Sequence, residues 1–182
     1  MSYLIISGTN RPGSYTRIIA NHVFSRMQDM TNEPAEFCSL EDLPIEAFHT
    51  GMYDEQQISP VLADFQDKYF TGDHKWILVS PEYNGGVAGI LKLWIDAMSA
   101  RRVKETFTMK KVLLTGVASG RAGNLRGLDM LCGILQKLNM VVHPNKLPVS
   151  SIKNMVDHSS GQVTDVGTLK SIDAQLSSFL EF

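Results

Sequence analysis

The feature that most narrows the possible folds is a set of short apolar runs that fail to alternate with polar residues. Residues 3–7, 76–80 and 112–117 are such runs, and each is followed by a longer stretch with helical spacing. A strand with one wet face alternates, whereas a strand covered by helices on both faces is apolar throughout, as in parallel sheets. The first helical stretch, residues 14–30, repeats apolar side chains at Ile18, Ile19, Val23 and Met27. Residues 35–40 read as a second strand, 41–59 as an irregular proline-containing segment, and 61–70 as a second helix. The third strand, 76–80, ends at Pro81, and a helix follows over 90–98. After the fourth strand, 112–117, come a helix over 125–138, a short fifth strand over 140–144 and a closing helix over 166–180. Residues 158–164 read as one exposed loop. Strand and helix in strict alternation predict a doubly wound α/β domain spanning residues 1–182 as one unit.

Composition removes several classes. With 20% charged residues and a formal net charge of −2, no dominant sign invites a polyanion, so no nucleic-acid partner is expected. No run of eighteen apolar residues occurs, so no membrane partner is expected. Cys38 and Cys132 cannot make a disulfide framework or a four-ligand zinc site, and they fit a reducing, cytoplasmic setting; both read as small core residues. His22, His49, His74, His143 and His158 lack metal-motif spacing, and no GxSxG elbow occurs. Neither a metal site nor hydrolase chemistry is expected.

In open α/β sheets the ligand sits outside the carboxyl ends of the strands, where the strand order reverses. The loops after the first, third and fourth strands converge there, and they have the unusual composition. The first reads Gly8-Thr9-Asn10-Arg11-Pro12-Gly13-Ser14-Tyr15-Thr16-Arg17. Small and hydroxylated residues where a helix begins suit a phosphate, because unpaired main-chain N–H groups and the helix dipole meet it together. Neither the dinucleotide fingerprint GxGxxG nor the P-loop motif is present, which leaves a monophosphate as the simpler guest. Ser14 also reads as a plain helix cap.

This run matches the pattern G-[ST]-x-R-x-x-S-x-[TN]-[RK] and resembles the first loop of the NADPH-dependent FMN reductase family. The resemblance implies a flavodoxin-like three-layer sandwich around a five-stranded parallel sheet of order 2-1-3-4-5. It also implies that Thr9, Arg11, Ser14, Tyr15 and Thr16 surround the phosphate of FMN, with NADPH or NADH as co-substrate.

The second loop, Pro81-Glu82-Tyr83-Asn84-Gly85-Gly86, offers glycines for close backbone approach, a ring face and an amide, which suits a flavin slot; a proline-initiated turn is the plainer reading. With Gly89-Ile90-Leu91-Lys92 and Ile95-Asp96 behind it, it resembles the family's PEYN and PGxLKxxID signature. That likeness implies that Pro81, Glu82, Tyr83, Asn84 and Gly85 contact the isoalloxazine, and that the following helix packs at a subunit interface. The chain departs from the pattern at Ala88, where proline is usual, and at Gly85 and Gly86, where bulkier residues are usual. In the third loop, residues 116–124, the resemblance sets Ser119, Gly120 and Gly123 against the flavin from the other side, although a purely structural turn reads as well. Arg121 and Arg126 are candidates for the phosphate of the nicotinamide nucleotide, or plain solvated residues.

The expectation is therefore an enzyme that moves hydride from NADPH or NADH through FMN to a small-molecule electron acceptor, such as a flavin, quinone or azo compound, as a homodimer or homotetramer. No catalytic side chain is assigned, because the flavin carries the chemistry. The rivals are a non-enzymatic flavodoxin-like electron carrier, which a net charge of −2 suits poorly, and a flavin-free scaffold on the same fold.

Overall fold

The structure, a computed structural model, describes residues 1–157 and 159–182; His158, read above in an exposed loop and among the unclustered histidines, lies outside the described residues. In chain order the elements are β1 (Ser2–Ser7), α1 (Tyr15–Met30), β2 (Ala35–Ser39), α2 (Pro60–Tyr69), β3 (His74–Tyr83), β4 (Gly86–Val87), α3 (Gly89–Ala100) and α4 (Val103–Phe107). They continue with β5 (Lys111–Val117), α5 (Leu125–Lys137), β6 (Val141–Val142), β7 (Leu147–Val149), β8 (Val156–Asp157), β9 (Gln162–Val163) and α6 (Val166–Glu181). Short 3₁₀ turns at Leu40–Asp42, Ile45–Ala47 and Thr50–Tyr53 fill the segment that the sequence left irregular.

The main sheet runs β2-β1-β3-β5-β6, and every pairing along that path is parallel, so the flavodoxin-like order holds. The strand count differs from the expected five: the sheet has seven strands. Two local events explain it. The fifth strand is broken into β6, which pairs with Lys111 and Val112, and β7, which pairs with Thr115, Gly116 and Val117. Between them the chain leaves the ladder around Pro144, and Gln175 of α6 replaces it: its Nε2 donates to Leu114 O at 3.0 Å and to Asn145 O at 2.8 Å. The other addition is β4, a two-residue antiparallel partner folded back on the end of β3.

Alternate residues of each strand enter different cores, which is why the runs are apolar throughout. Leu4, Ile6, Trp76, Leu78, Val112 and Leu114 face α2, α3 and α5, where they meet Leu62, Leu91, Trp94 and Leu128. Tyr3, Ile5, Ile77, Val79 and Leu113 face α1 and α6, where they meet Ile19, Val23, Ile172 and Phe179. The first layer is rich in rings: Phe70 lies 5.0 Å from Trp76 and 4.9 Å from Trp94 between centroids. α4, which the sequence left unassigned, drives Phe107 into this layer, 5.5 Å from Trp76. Each fully buried side chain of this size contributes roughly 1.5–3 kcal/mol.

β3 runs on through Pro81, past the predicted end. Val79 O accepts from Gly8 N, so the main chain of Val79, and by parity that of Pro81, faces β1. β1 has already ended at Ser7, opposite Val79, so the missing N–H of Pro81 leaves no ladder bond unmade. Cys38 is a buried core residue, and burial pushes its thiol well up, which keeps it protonated. Cys132 is only half-buried at the edge of its layer, not in the core. Among the described residues no helix is long and apolar enough to cross a membrane.

Candidate functional site

The carboxyl ends of β1, β3 and β5 open on one crevice. Gly8 leaves β1 tight against β3: its N–H donates to Val79 O at 2.8 Å, and a Cβ there would lie 2.9 Å from the same oxygen. Thr9 is fully buried, and its Oγ1 meets Tyr83 OH at 2.8 Å and accepts from Arg11 N at 3.2 Å. Gly13, at φ +63°, turns the loop into α1. Ser14 then caps the helix, its Oγ accepting from Arg17 N at 3.1 Å. The capping reading of Ser14 is therefore met, and its hydroxyl hydrogen is still available to a ligand. The first turn of α1 has no acidic residue, and its main-chain N–H groups, that of Thr16 included, have no carbonyl four residues back to bond.

From β3 the chain passes Tyr83 into a two-residue turn, Asn84 at φ 54° and Gly85 at φ 78°, and returns as β4 with Glu82 opposite Val87. Positive φ at both central residues is the geometry that suits a twisted hairpin. The hairpin lies on α5: a Cβ on Gly127 would stand 3.2 Å from Gly86 C, and one on Gly86 would stand 3.4 Å from Met130 Sδ. Asn124, fully buried, joins the third loop to β3 by donating from Nδ2 to Ser80 O at 2.9 Å.

A cavity of about 320 Å³ occupies the crevice. Of the residues expected from sequence, Arg11, Ser14, Tyr15 and Thr16 line it from the first loop, Pro81, Glu82 and Tyr83 from β3, and Ser119 from the third loop. The others sit elsewhere. Thr9 lies beneath, holding Tyr83. Asn84 and Gly85 form the hairpin turn, with Arg126 Nη1 3.9 Å from where a Cβ on Gly85 would be. Gly120 accepts a main-chain bond from Ser151 N at 3.1 Å, and Gly123 packs on β7, where a Cβ would come within 2.8 Å of Pro148. Arg121 and Arg126 are exposed.

Sequence reasoning did not single out Pro12, Gly13, Val117, Ala118, Ile152 and Lys153, which also line the cavity. Ile152 and Lys153 come from a single 3₁₀ turn, Ile152–Asn154, with no motif to mark it. The turn reaches the cavity because β7 runs beside β5 and delivers it next to the third loop, where Ile152 N donates to Ala118 O at 3.1 Å. The charged side chains lining the cavity are Arg11, Glu82 and Lys153. Among the described residues, neither Arg11 nor Lys153 is drawn into an ion pair, whereas nearby Arg17 is held by Glu41 at 2.8 Å. The cavity thus offers hydroxyls, a helix amino terminus and two cations to an anionic ligand, with the Tyr83 ring and the aliphatic Val117 and Ile152 beside them.

Comparison with known proteins agrees with this chemistry. Residues 1–154 match the family model described as NADPH-dependent FMN reductase. A quinone reductase of Escherichia coli strain K12 is 28% identical over 183 residues, an alignment covering 100% of this chain and 95% of that protein. An NAD(P)H-dependent FMN reductase of Pseudomonas aeruginosa is 27% identical over 174 residues, covering 94% of this chain and 89% of its own. Among solved structures, a flavoenzyme NAD(P)H:(acceptor) oxidoreductase from Paracoccus denitrificans superposes with a TM-score of 0.72 at 19% identity, covering 99% of this chain and 95% of that one. At that identity the likeness is one of fold.

Proposed function

Because the chain belongs to the NADPH-dependent FMN reductase family, we propose that it holds FMN with the phosphate on the first turn of α1 and the ring beside β3 and the third loop. It is an FMN-dependent NAD(P)H oxidoreductase. The observation that carries the site is the one cavity shared by the α1 amino terminus, the end of β3 and the third loop.

The residues fit the group. In our reading Arg11 supplies a charged fork to the phosphate, Ser14 gives its hydroxyl hydrogen while its oxygen caps α1, and Thr16 adds an N–H and a hydroxyl. Tyr15 borders the same space. Tyr83, fixed by Thr9, presents its ring as a wall, and Pro81, beside Val117 of β5, and Glu82, paired with Val87 of β4, border the slot. Ser119 closes the third side, with Gly120 behind it bearing on the turn that carries Lys153. Asn84, Gly85 and Gly123 act in this reading through backbone shape, holding the hairpin and the third loop at the rim. When bound, FMN would supply the hydride chemistry between NADPH or NADH and a small acceptor of the flavin, quinone or azo class. No side chain need act as acid or base in that exchange, and none is assigned.

A single unit over residues 1–182 that works in the cytoplasm is consistent with two free cysteines. A homodimer or homotetramer is supported by an apolar groove of about 520 Å³ between α3 and α5, lined by Ile95, Met130, Ile134 and Leu138. The test of function is steady oxidation of NADPH by the purified protein with FMN and a quinone. An electron carrier would bind FMN yet oxidise no NADPH alone, and a scaffold would gain no thermal stability from FMN.

A further inference from the structure

The phosphate of FMN is a monoester and carries nearly two negative charges near neutral pH. The amino terminus of α1 offers the equivalent of about half a positive charge. Arg11 adds one. Glu82, on the wall of the same cavity, works against both. These charges fall short of balancing a dianion, and a further cation would narrow the gap.

The other cation lining the cavity is Lys153, and it belongs to none of the three loops that carry sequence motifs. Its backbone is well anchored. Ser151 N donates to Gly120 O at 3.1 Å, Ile152 N to Ala118 O at 3.1 Å, and Asn154 N closes the turn on Ser151 O at 2.9 Å. Ile152 beside it is buried at 1% exposure in the core under α1. The rigid part ends there: the Lys153 side chain is exposed and, among the described residues, is committed to no carboxylate. A flexible ammonium on a fixed turn, lining the cavity in which α1 begins, suits an anion that arrives with a ligand.

Resting on the FMN reading above, we infer that Lys153 is a second phosphate-binding cation, which with Arg11 makes the site select FMN over riboflavin. Riboflavin has the same ring and ribityl chain without the phosphate, so it gains nothing from either cation. An exposed ion pair contributes little, and one to a ligand that fills the cavity contributes more.

The experiment titrates cofactor-free protein with FMN and with riboflavin, following the quenching of flavin fluorescence, for wild type, Lys153→Gln and Lys153→Arg. At low ionic strength Lys153→Gln is expected to weaken FMN about fivefold and riboflavin by less than about twofold, while Lys153→Arg stays within about twofold of wild type for both. Added salt is expected to erode FMN affinity more steeply in wild type than in Lys153→Gln. Unchanged FMN affinity in Lys153→Gln, or equal weakening of both flavins, overturns the assignment, and so does a loss in Lys153→Arg as large as in Lys153→Gln. Wild-type protein that binds neither flavin overturns the FMN reading itself, which is a different result from wild type that binds FMN and a Gln variant that binds it equally well. Since the wild-type salt response of FMN against riboflavin needs no variant, equal slopes for the two would refute a charged grip on the phosphate even if a variant misfolds.

Discussion

Thr9 Oγ1 and Tyr83 OH lie 2.8 Å apart, a hydrogen bond that ties the loop after β1 to the end of β3 beneath the cavity. Thr9 also accepts from Arg11 N at 3.2 Å, so one buried hydroxyl sets both the aromatic wall and the residue on the opposite lip. Tyr83→Phe removes one bond and leaves Thr9 its main-chain donor, whereas Thr9→Val removes both. Chemical denaturation is expected to give a loss of roughly 0.5–1.5 kcal/mol for the first and about 1–3 kcal/mol for the second. In the double variant most of the Tyr83 effect should vanish; full additivity would mean that the two side chains are not coupled.

Ser14 has two tasks that substitution can separate. Its Oγ caps α1, and in our reading its hydroxyl hydrogen meets the phosphate. Ser14→Asp keeps a capping oxygen and favours the helix dipole, so the melting temperature without cofactor should stay near wild type. The same carboxylate faces the phosphate, and FMN affinity should fall at least about tenfold. Ser14→Ala is expected to behave the other way in stability, losing about 1 kcal/mol. Tight FMN binding by the Asp variant would move the phosphate away from this helix.

Gly127 tests how the third loop and the hairpin fit together. By helix propensity alone, Gly127→Ala would stabilise α5 by about 1 kcal/mol. The new Cβ, however, would overlap Asn124 Oδ1 and stand 3.2 Å from Gly86 C. Asn124 is buried and held to Ser80 O, so it has little room to yield. The steric term should win, with a net loss of roughly 1–3 kcal/mol by equilibrium unfolding. A more stable variant would show that Asn124 moves freely.

Two histidines predict a weakness in mild acid. Burial lowers the pKa of His22 against the opposing pull of Asp173, and burial lowers that of His74 against Glu36. Each is neutral in the folded chain at pH values where the unfolded chain would bind a proton. Their contribution is complete above the ordinary histidine value of about 6.5 and is lost as pH falls from there through the depressed folded values. Melting temperatures between pH 7.5 and 5 should drop less steeply in a His22→Gln/His74→Gln double variant than in wild type. Parallel slopes would remove these groups from the acid response.

The parts of this fold that were legible are those written in local pattern. Apolar runs such as residues 76–80 announced buried parallel strands, and Ser14 announced the start of α1, because periodicity and capping act within a few residues. The break of the last main-sheet strand was not legible, since it depends on Gln175 crossing from α6 to take Leu114 O. Asn84-Gly85 did carry a signal, the dipeptide of a two-residue hairpin turn, but the flavin-slot reading obscured it. Of the residues that line the cavity, Arg11 and Ser14 were legible through loop chemistry and Glu82 only through the PEYN resemblance. Lys153 was not: it lies in an unremarkable turn, and only the pairing of β7 with β5 brings that turn to the cavity.

The most direct test mixes the purified protein with FMN under argon, adds NADPH, and follows the flavin absorbance band. We expect FMN to bind with its fluorescence quenched and NADPH to bleach the band within seconds, with Ser14→Asp impaired through loss of FMN. Wild-type protein that leaves FMN fully fluorescent, or bound flavin that NADPH fails to bleach, would contradict the account.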